Sequence, residues 1–275
     1  MKGKFVGMNL KSKYLIIILA VIIIKINFSI NVKAEEYSRF NNISIEDGLS
    51  QATVETMMQD SKGYIWLGTN DGLDRYNGYT FKKYSYEKGQ ENSLVNSYIL
   101  DIKEDSEGNI WVATAAGISK IYNDGEKVQN YTSDSESGNL SNDNTTTMLI
   151  SNSNKIYVGT AEGINLYDKK TDKFNLIYPE LKEEYVNSLA EDKYGNIWAG
   201  TENGLYKINV VTNAIERFES TDDVNTISEN YIYKVYYDGD KHIWVGTYDN
   251  GFCKLNIENN KVTRYLLTRE DGTIR

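Results

Sequence analysis

His242 is the only histidine of the 275-residue chain and Cys253 the only cysteine. A histidine can act as a general base or a metal ligand, but a hydrolytic triad needs a nucleophile and an orienting carboxylate around it. No Ser-His-Asp arrangement and no second histidine can be assembled about His242. It falls in a turn between two strand-like runs, where a solvated turn histidine is the expected role. Cys253 falls inside a strand-like run, which predicts a buried, inert thiol, and one cysteine forms no internal disulfide. Asp238-Gly239-Asp240 resembles the start of a calcium loop, but the later Gly and Glu of such a loop are missing and a turn accounts for the three residues. No catalytic residue, metal or cofactor is therefore expected. Trp66, Trp111, Trp198 and Trp244 could form an aromatic ligand platform, but each recurs at one place in a repeated pattern, which marks them as core.

That repeat organises the chain. Asp60-Ser61-Lys62-Gly63-Tyr64-Ile65-Trp66-Leu67-Gly68-Thr69 precedes Asn70-Asp71-Gly72-Leu73, and the pattern returns from Asp105, Asp192 and Asp238. A worn copy runs from Asn152 to Ile164, with Tyr157 for Trp and no Asp-x-x-Gly. The aromatic position falls at 66, 111, 157, 198 and 244, in steps of 45, 46, 41 and 46 residues. A period of roughly 40–50 residues without apolar 3.6-residue spacing predicts propeller blades of four strands.

In each copy strand A is a run such as Tyr98–Lys103. The Asp-x-x-Gly turn follows, its Asp bonding backbone amides and its Gly supplying positive φ. Strand B is Ile-Trp-x-Gly-Thr, apolar on both faces as stacked blades require, with a glycine for close approach of the next blade. A two-residue turn leads to strand C, such as Gly204–Ile208, and strand D is a looser aromatic run, such as Thr80–Tyr84 or Ala214–Phe218. Tyr37–Ile43 and Lys261–Leu266 also read as D strands, so five A–B–C sets accompany six D strands. The expectation is an all-β chain, a β-propeller with five blades present, forming an incomplete seven-bladed ring with Arg275 an arbitrary end. A closed five-bladed ring with one redundant strand is the alternative.

Strand alternation puts the B–C turns and D–A links on one face. The B–C turns there carry Asn70, Asp71, Ala115, Ala116, Ala161, Glu162, Glu202, Asn203, Tyr248, Asp249 and Asn250. The links carry Asn96, Asn144, Asn187 and Asn230. These positions vary between copies while the frame stays fixed, which is where a rigid scaffold binds ligands. Of them, Asn70, Asp71, Glu162, Glu202, Asn203, Tyr248, Asp249, Asn96, Asn187 and Asn230 are the candidate binding residues. Their chemistry suits a small polar ligand such as a carbohydrate.

Composition narrows the partners. The net charge is −9, but residues 1–34 hold Lys2, Lys4, Lys11, Lys13, Lys25 and Lys33 and no acid, leaving 24 basic against 39 acidic residues and a net of −15 for 35–275. A surface that acidic disfavours nucleic acid. The lysine-rich start, the apolar run Tyr14–Ile24 and Val32-Lys33-Ala34 before Glu35-Glu36 read as an export signal, or as an uncleaved membrane anchor, over 1–34. Residues 35–275 then form the propeller domain, on the periplasmic or extracellular face of a bacterial membrane.

The pattern Asp-x-x-Gly-x-Ile-Trp-x-Gly-Thr-x-x-Gly-Leu resembles the two-component regulator propeller repeat. Ile45-Glu46-Asp47-Gly48-Leu49-Ser50-Gln51 is similar to the stretch that opens such sensor domains. Asn92-Ser93-Leu94 and Asn225-Thr226-Ile227-Ser228 are similar to its inter-blade link. The resemblance covers about residues 37–267. It implies an extracytoplasmic ligand sensor of a transmembrane protein, dimeric, with C-terminal signalling modules absent from this sequence, such as a histidine kinase or diguanylate cyclase. Two other functions compete. Propeller lyases that open cyclic antibiotics carry similar Gly-x-Ile-Trp strands but need a histidine and usually a metal. A surface binding module without signalling output is the other.

Overall fold

The computed structural model describes residues 42–134 and 139–265. Residues 1–34, read as an export signal, residues 37–41 of the D strand expected over Tyr37–Ile43, and residues 266–275 lie outside the described residues, and Asn42 and Ile43 are in no strand.

Five four-stranded antiparallel sheets follow one another along the chain, each in simple sequential order. Blade 1 holds β1 (Val54–Gln59), β2 (Ile65–Thr69), β3 (Gly72–Tyr76) and β4 (Phe81–Tyr84). Blade 2 holds β5 (Ile99–Glu104), β6 (Ile110–Thr114), β7 (Gly117–Ile121) and β8 (Val128–Tyr131). Blade 3 holds β9 (Thr145–Ile150), β10 (Ile156–Thr160), β11 (Gly163–Asp168) and β12 (Lys173–Ile177). Blade 4 holds β13 (Val186–Glu191), β14 (Ile197–Thr201), β15 (Gly204–Ile208) and β16 (Ile215–Phe218). Blade 5 holds β17 (Ile232–Tyr237), β18 (His242–Thr247), β19 (Phe252–Asn256) and β20 (Val262–Tyr265).

Two local devices build every blade. The first is the A–B turn. Asp60 accepts the backbone N–H groups of Lys62 and Tyr64 and, through Oδ2, the indole N–H of Trp66 at 2.7 Å. Asp105 and Asp192 hold Trp111 and Trp198 in the same way at 2.8 and 2.9 Å. One carboxylate thus caps the turn and satisfies a buried indole. The worn third copy keeps the turn: Ser151, one residue before the expected start at Asn152, accepts from Lys155 N, and Asn154 takes the positive φ of 58°. Asparagine tolerates that conformation better than other non-glycine residues, so the fold survives loss of the motif. The second device is the B–C turn. Thr69 donates its hydroxyl to the Gly72 carbonyl and accepts from Asp71 N, and Thr114, Thr160 and Thr201 repeat the arrangement. In blade 5 the loop is one residue longer, with Thr247 donating to Gly251.

Blades are joined by apolar seams. Trp66 packs with Ile99, Ile102, Ile110 and Val112 of blade 2, and Trp198 with Ile232, Val235, Val245 and Leu255 of blade 5. Each link is pinned by one buried aliphatic residue five positions before strand A: Leu49, Leu94, Leu140, Leu181 and Ile227. The strand-B glycines permit this approach. A Cβ on Gly200 would sit 2.6 Å from Ile232 Cγ2, and one on Gly68 2.6 Å from Ile99 Cγ2.

Blades 5 and 1 share no such seam among the described residues. Strand B is buried throughout in blades 2, 3 and 4. In blade 1, Ile65 and Leu67 stay half-buried, and in blade 5 Trp244 does. Trp244 therefore departs from the expected core role, because among the described residues no blade packs against the face that it presents.

Candidate functional site

The innermost strands β1, β5, β9, β13 and β17 lie side by side around a central channel. At its mouth is a pocket of ≈ 730 Å³, within the range of small-molecule sites. Its walls come from three repeat positions. The second residue of strand A contributes Glu55, Leu100, Thr146, Asn187 and Tyr233. The residue just before strand A contributes Tyr98, Asn144, Tyr185 and Tyr231. The first residue of the B–C turn contributes Ala115 and Glu202, and Lys234 completes the lining.

Backbone bonds fix this geometry. The first B–C turn residue donates its N–H to the carbonyl of the residue before strand A: Ala115 to Tyr98, Ala161 to Asn144, Glu202 to Tyr185 and Tyr248 to Tyr231, at 3.0–3.3 Å. Turn and link are thereby held together, and the face inferred from strand alternation is the face that carries the pocket. Side chains add order: Asn144 Nδ2 donates to the Tyr185 hydroxyl at 3.2 Å, and Asn187 Nδ2 donates to the Ile232 carbonyl at 3.0 Å. Desolvation raises the Tyr231 phenol above its ordinary value, and the neighbouring Glu202 carboxylate adds to the rise. Tyr231 is thus a neutral hydrogen-bond donor at neutral pH.

The structure brings only some of the sequence-predicted residues to this pocket. Asn187 and Glu202 line it, and the Tyr248 ring rests edge-on against Tyr231 at its rim. Asn187 is a strand residue, the second of β13, and not a link residue as expected; the four asparagines occupy different repeat positions. Asn96 and Asn230 do not line it, and their side chains cap the links by accepting from Tyr98 N and Ser220 N, both at 2.7 Å. Glu162 is drawn to Asn142 Nδ2 and Asn203 to Glu184, both away from the lining. Asn70, Asp71 and Asp249 stand on turn tips outside it. The residues missed are Glu55, Leu100, Thr146, Tyr233 and Lys234 on the first strands, and Tyr98, Tyr185 and Tyr231 just before them. For the three tyrosines the signal was present, since each follows the buried Leu94, Leu181 or Ile227 by four positions.

His242 sits at the opposite end of β18 from Tyr248. It is the first residue of β18 and not a turn residue as expected; its Nδ1 lies 2.9 Å from Asp238 Oδ2 and the ring is only partly exposed, so it is bound rather than freely solvated. Partial desolvation works against the Asp238 carboxylate, but the N–H groups of His242, Asp240 and Lys241 and the imidazole outweigh it and hold its pKa well below the ordinary range. Cys253 is buried, and burial raises its thiol pKa, as expected for an inert cysteine. Among the described residues no cluster of three or more His, Cys, Asp or Glu side chains is placed to hold a metal ion.

Comparison with known proteins adds the family. Residues 48–71, 93–116, 180–203 and 226–249 match the family model of the two component regulator propeller; the worn third copy falls between these matches. A 57-residue stretch is 42% identical to histidine kinase P4 of Formosa agariphila, covering 20% of this chain and 4% of that protein. The extracellular domain of a proposed hybrid two component system from B. thetaiotaomicron is similar at 22% identity and a TM-score of 0.53, over 87% of this chain and 36% of that one. Virginiamycin B lyase from Staphylococcus aureus is similar at 16% identity and a TM-score of 0.61, over 81% of this chain and 73% of that one. The chain thus spans about a third of the solved extracellular domain and a small fraction of the kinase, and the structural likenesses, all under 25% identical, establish the fold. Four of the five repeats of this chain match the two component regulator propeller model, and all five are set as blades of a β-propeller.

Proposed function

We propose that this propeller is the ligand-sensing part of an exported, membrane-linked signalling protein of the two-component type, and that it binds a small polar ligand, a carbohydrate, at the channel mouth. The observation that carries the reading is the lining of that pocket by Tyr98, Tyr185, Tyr231 and Tyr233 together with Asn144, Asn187, Glu55 and Glu202. Tyrosine faces stack on the C–H faces of sugars, while amides and carboxylates pair with their hydroxyls. The match to the repeat family supports the signalling role, and the lysine-rich start with the apolar run Tyr14–Ile24 fits an exported protein. Kinase or cyclase modules C-terminal to the propeller supply the output, and a homodimer transmits the signal. Further blades of the same repeat cover the half-exposed faces of Trp244 and of Ile65 and Leu67.

No catalysis is assigned to the propeller, because its single histidine is held by Asp238 at the end away from the pocket. The likeness to virginiamycin B lyase favours the enzyme reading as the alternative, and a hydrolase or lyase activity lost on His242→Ala would establish it. The sensing reading is tested by calorimetric titration of the protein with a panel of neutral mono- and oligosaccharides. A saccharide that binds the wild type and is weakened at least tenfold by Asn187→Ala supports it. Absence of any binder, or hits indifferent to Asn187→Ala and Tyr185→Ala, overturns it.

A further inference from the structure

Four of the five blades share an aromatic stack that the third lacks. In blades 1, 2, 4 and 5 the strand-B tryptophan pairs across to a cationic residue on strand C: Arg75, Lys120, Lys207 and Lys254, each within 5.6 Å of the indole ring. The same tryptophans lie against a strand-D aromatic residue, Tyr84, Tyr131, Phe218 or Tyr265, with ring centroids 5.6–6.1 Å apart. In blade 3 all three positions change together. Tyr157 replaces the indole, Leu166 the cation and Ile177 the strand-D ring.

The space this leaves is open. Between blades 3 and 4 a pocket of ≈ 470 Å³ is lined by Tyr157, Leu166, Ile177, Tyr178 and Val210. At the equivalent seam between blades 1 and 2, lined by Trp66 and Arg75, the corresponding volume is ≈ 10 Å³. The cleft opens to solvent at one side, and its volume lies within the range of small-molecule sites. Tyr178 forms one wall in the left-handed region, φ 56° and ψ 72°, an outlying conformation for a bulky side chain and of the kind found at ligand clamps. The hydroxyls of Tyr157 and Tyr178 have no hydrogen-bond partner among the described residues. Burial, with Tyr178 and the Glu191 carboxylate nearby, raises the Tyr157 pKa to about 12, so it remains a donor. At the mouth stand Lys155 and Glu180, one charge of each sign, and neither forms an ion pair among the described residues.

We propose that this inter-blade pocket is a second binding site, for a small aromatic compound bearing both a carboxylate and an ammonium, as an aromatic amino acid does. The ligand ring occupies the place of the missing strand-D aromatic, against Tyr157, Ile177 and Tyr178. Its carboxylate meets Lys155 and its ammonium meets Glu180. The site is separate from the channel mouth and does not depend on the sugar reading.

The test is calorimetric titration of the full chain with L-tryptophan, L-tyrosine and L-phenylalanine, with tryptamine and indole-3-propionate as probes lacking one charge. At least one amino acid binds the wild type. Ile177→Tyr, which restores the ring of the other copies, weakens it at least tenfold without lowering the melting temperature. Leu166→Arg, which restores the cation, does the same and serves if Ile177→Tyr does not fold. Lys155→Ala weakens the amino acid but not tryptamine, and Tyr231→Ala, which weakens saccharide binding at the channel mouth, leaves amino-acid binding unaltered. Failure of all three amino acids to bind, or equal binding by wild type and the folded refilling variant, overturns the proposal.

Discussion

Tyr231 and Tyr248 meet edge to face with ring centroids 5.0 Å apart, and the Tyr248 N–H donates to the Tyr231 carbonyl at 3.0 Å. One residue precedes a first strand and the other opens a B–C turn, so the contact welds the two segments that shape the channel mouth. Tyr231→Ala removes a wall of the pocket without touching an inter-blade seam. It is expected to weaken saccharide binding tenfold or more while shifting the melting temperature by only a few degrees, measured by calorimetry and thermal unfolding.

The strand-B glycines offer an internal comparison. Gly200 faces Ile232 and Val235 of the next blade, whereas a Cβ on Gly246 would meet only its own neighbour Lys234, at 3.7 Å. Gly200→Ala overpacks a seam and is expected to cost about 1–3 kcal/mol. Gly246→Ala is expected to be neutral or slightly stabilising in this chain. Chemical denaturation of the two variants checks the pair, and equal losses would mean that blade 5 is covered.

Much of this frame is legible in the sequence. The Asp-x-x-Gly turn, the Ile-Trp-x-Gly-Thr strand and the glycine that admits the next blade follow from turn chemistry and period alone, and the loop face follows from strand alternation. The site is less legible. Asn96 and Asn230 look like ligand-facing amides, yet their side chains serve the backbone, because a short polar side chain beside an unpaired N–H caps it first. Tyr98, Tyr185 and Tyr231 were concealed by the abundance of tyrosine, which suits half-buried strands everywhere. The pocket beside Tyr157 depends on Leu166 and Ile177 on two other strands, and only the observed register brings their coordinated change into view.

The links are held by single buried residues. Leu94 is 1% exposed, and Val95 N beside it donates to Ser119 Oγ at 2.9 Å. Leu94→Ala is expected to destabilise by about 2–5 kcal/mol, through lost burial and the cavity left behind. Urea unfolding checks this.

Acid weakens the fifth blade through Asp238. Its pKa is lower in the folded protein than in the unfolded chain, so its contribution is fully present above the unfolded carboxylate value of about 4 and is lost as pH falls towards the folded value. Asp238→Asn is expected to melt below the wild type at pH 7, with the gap closing as pH drops below about 4. Thermal melts of both proteins between pH 7 and pH 3 measure it.

Sensing at the channel mouth is decided most directly by a crystal structure of the protein with the tightest-binding saccharide of the panel. The expected density lies between Tyr98, Tyr185 and Tyr231, with sugar hydroxyls on Asn187 and Glu202. Density elsewhere on the propeller, with this mouth holding only water, would contradict the assignment.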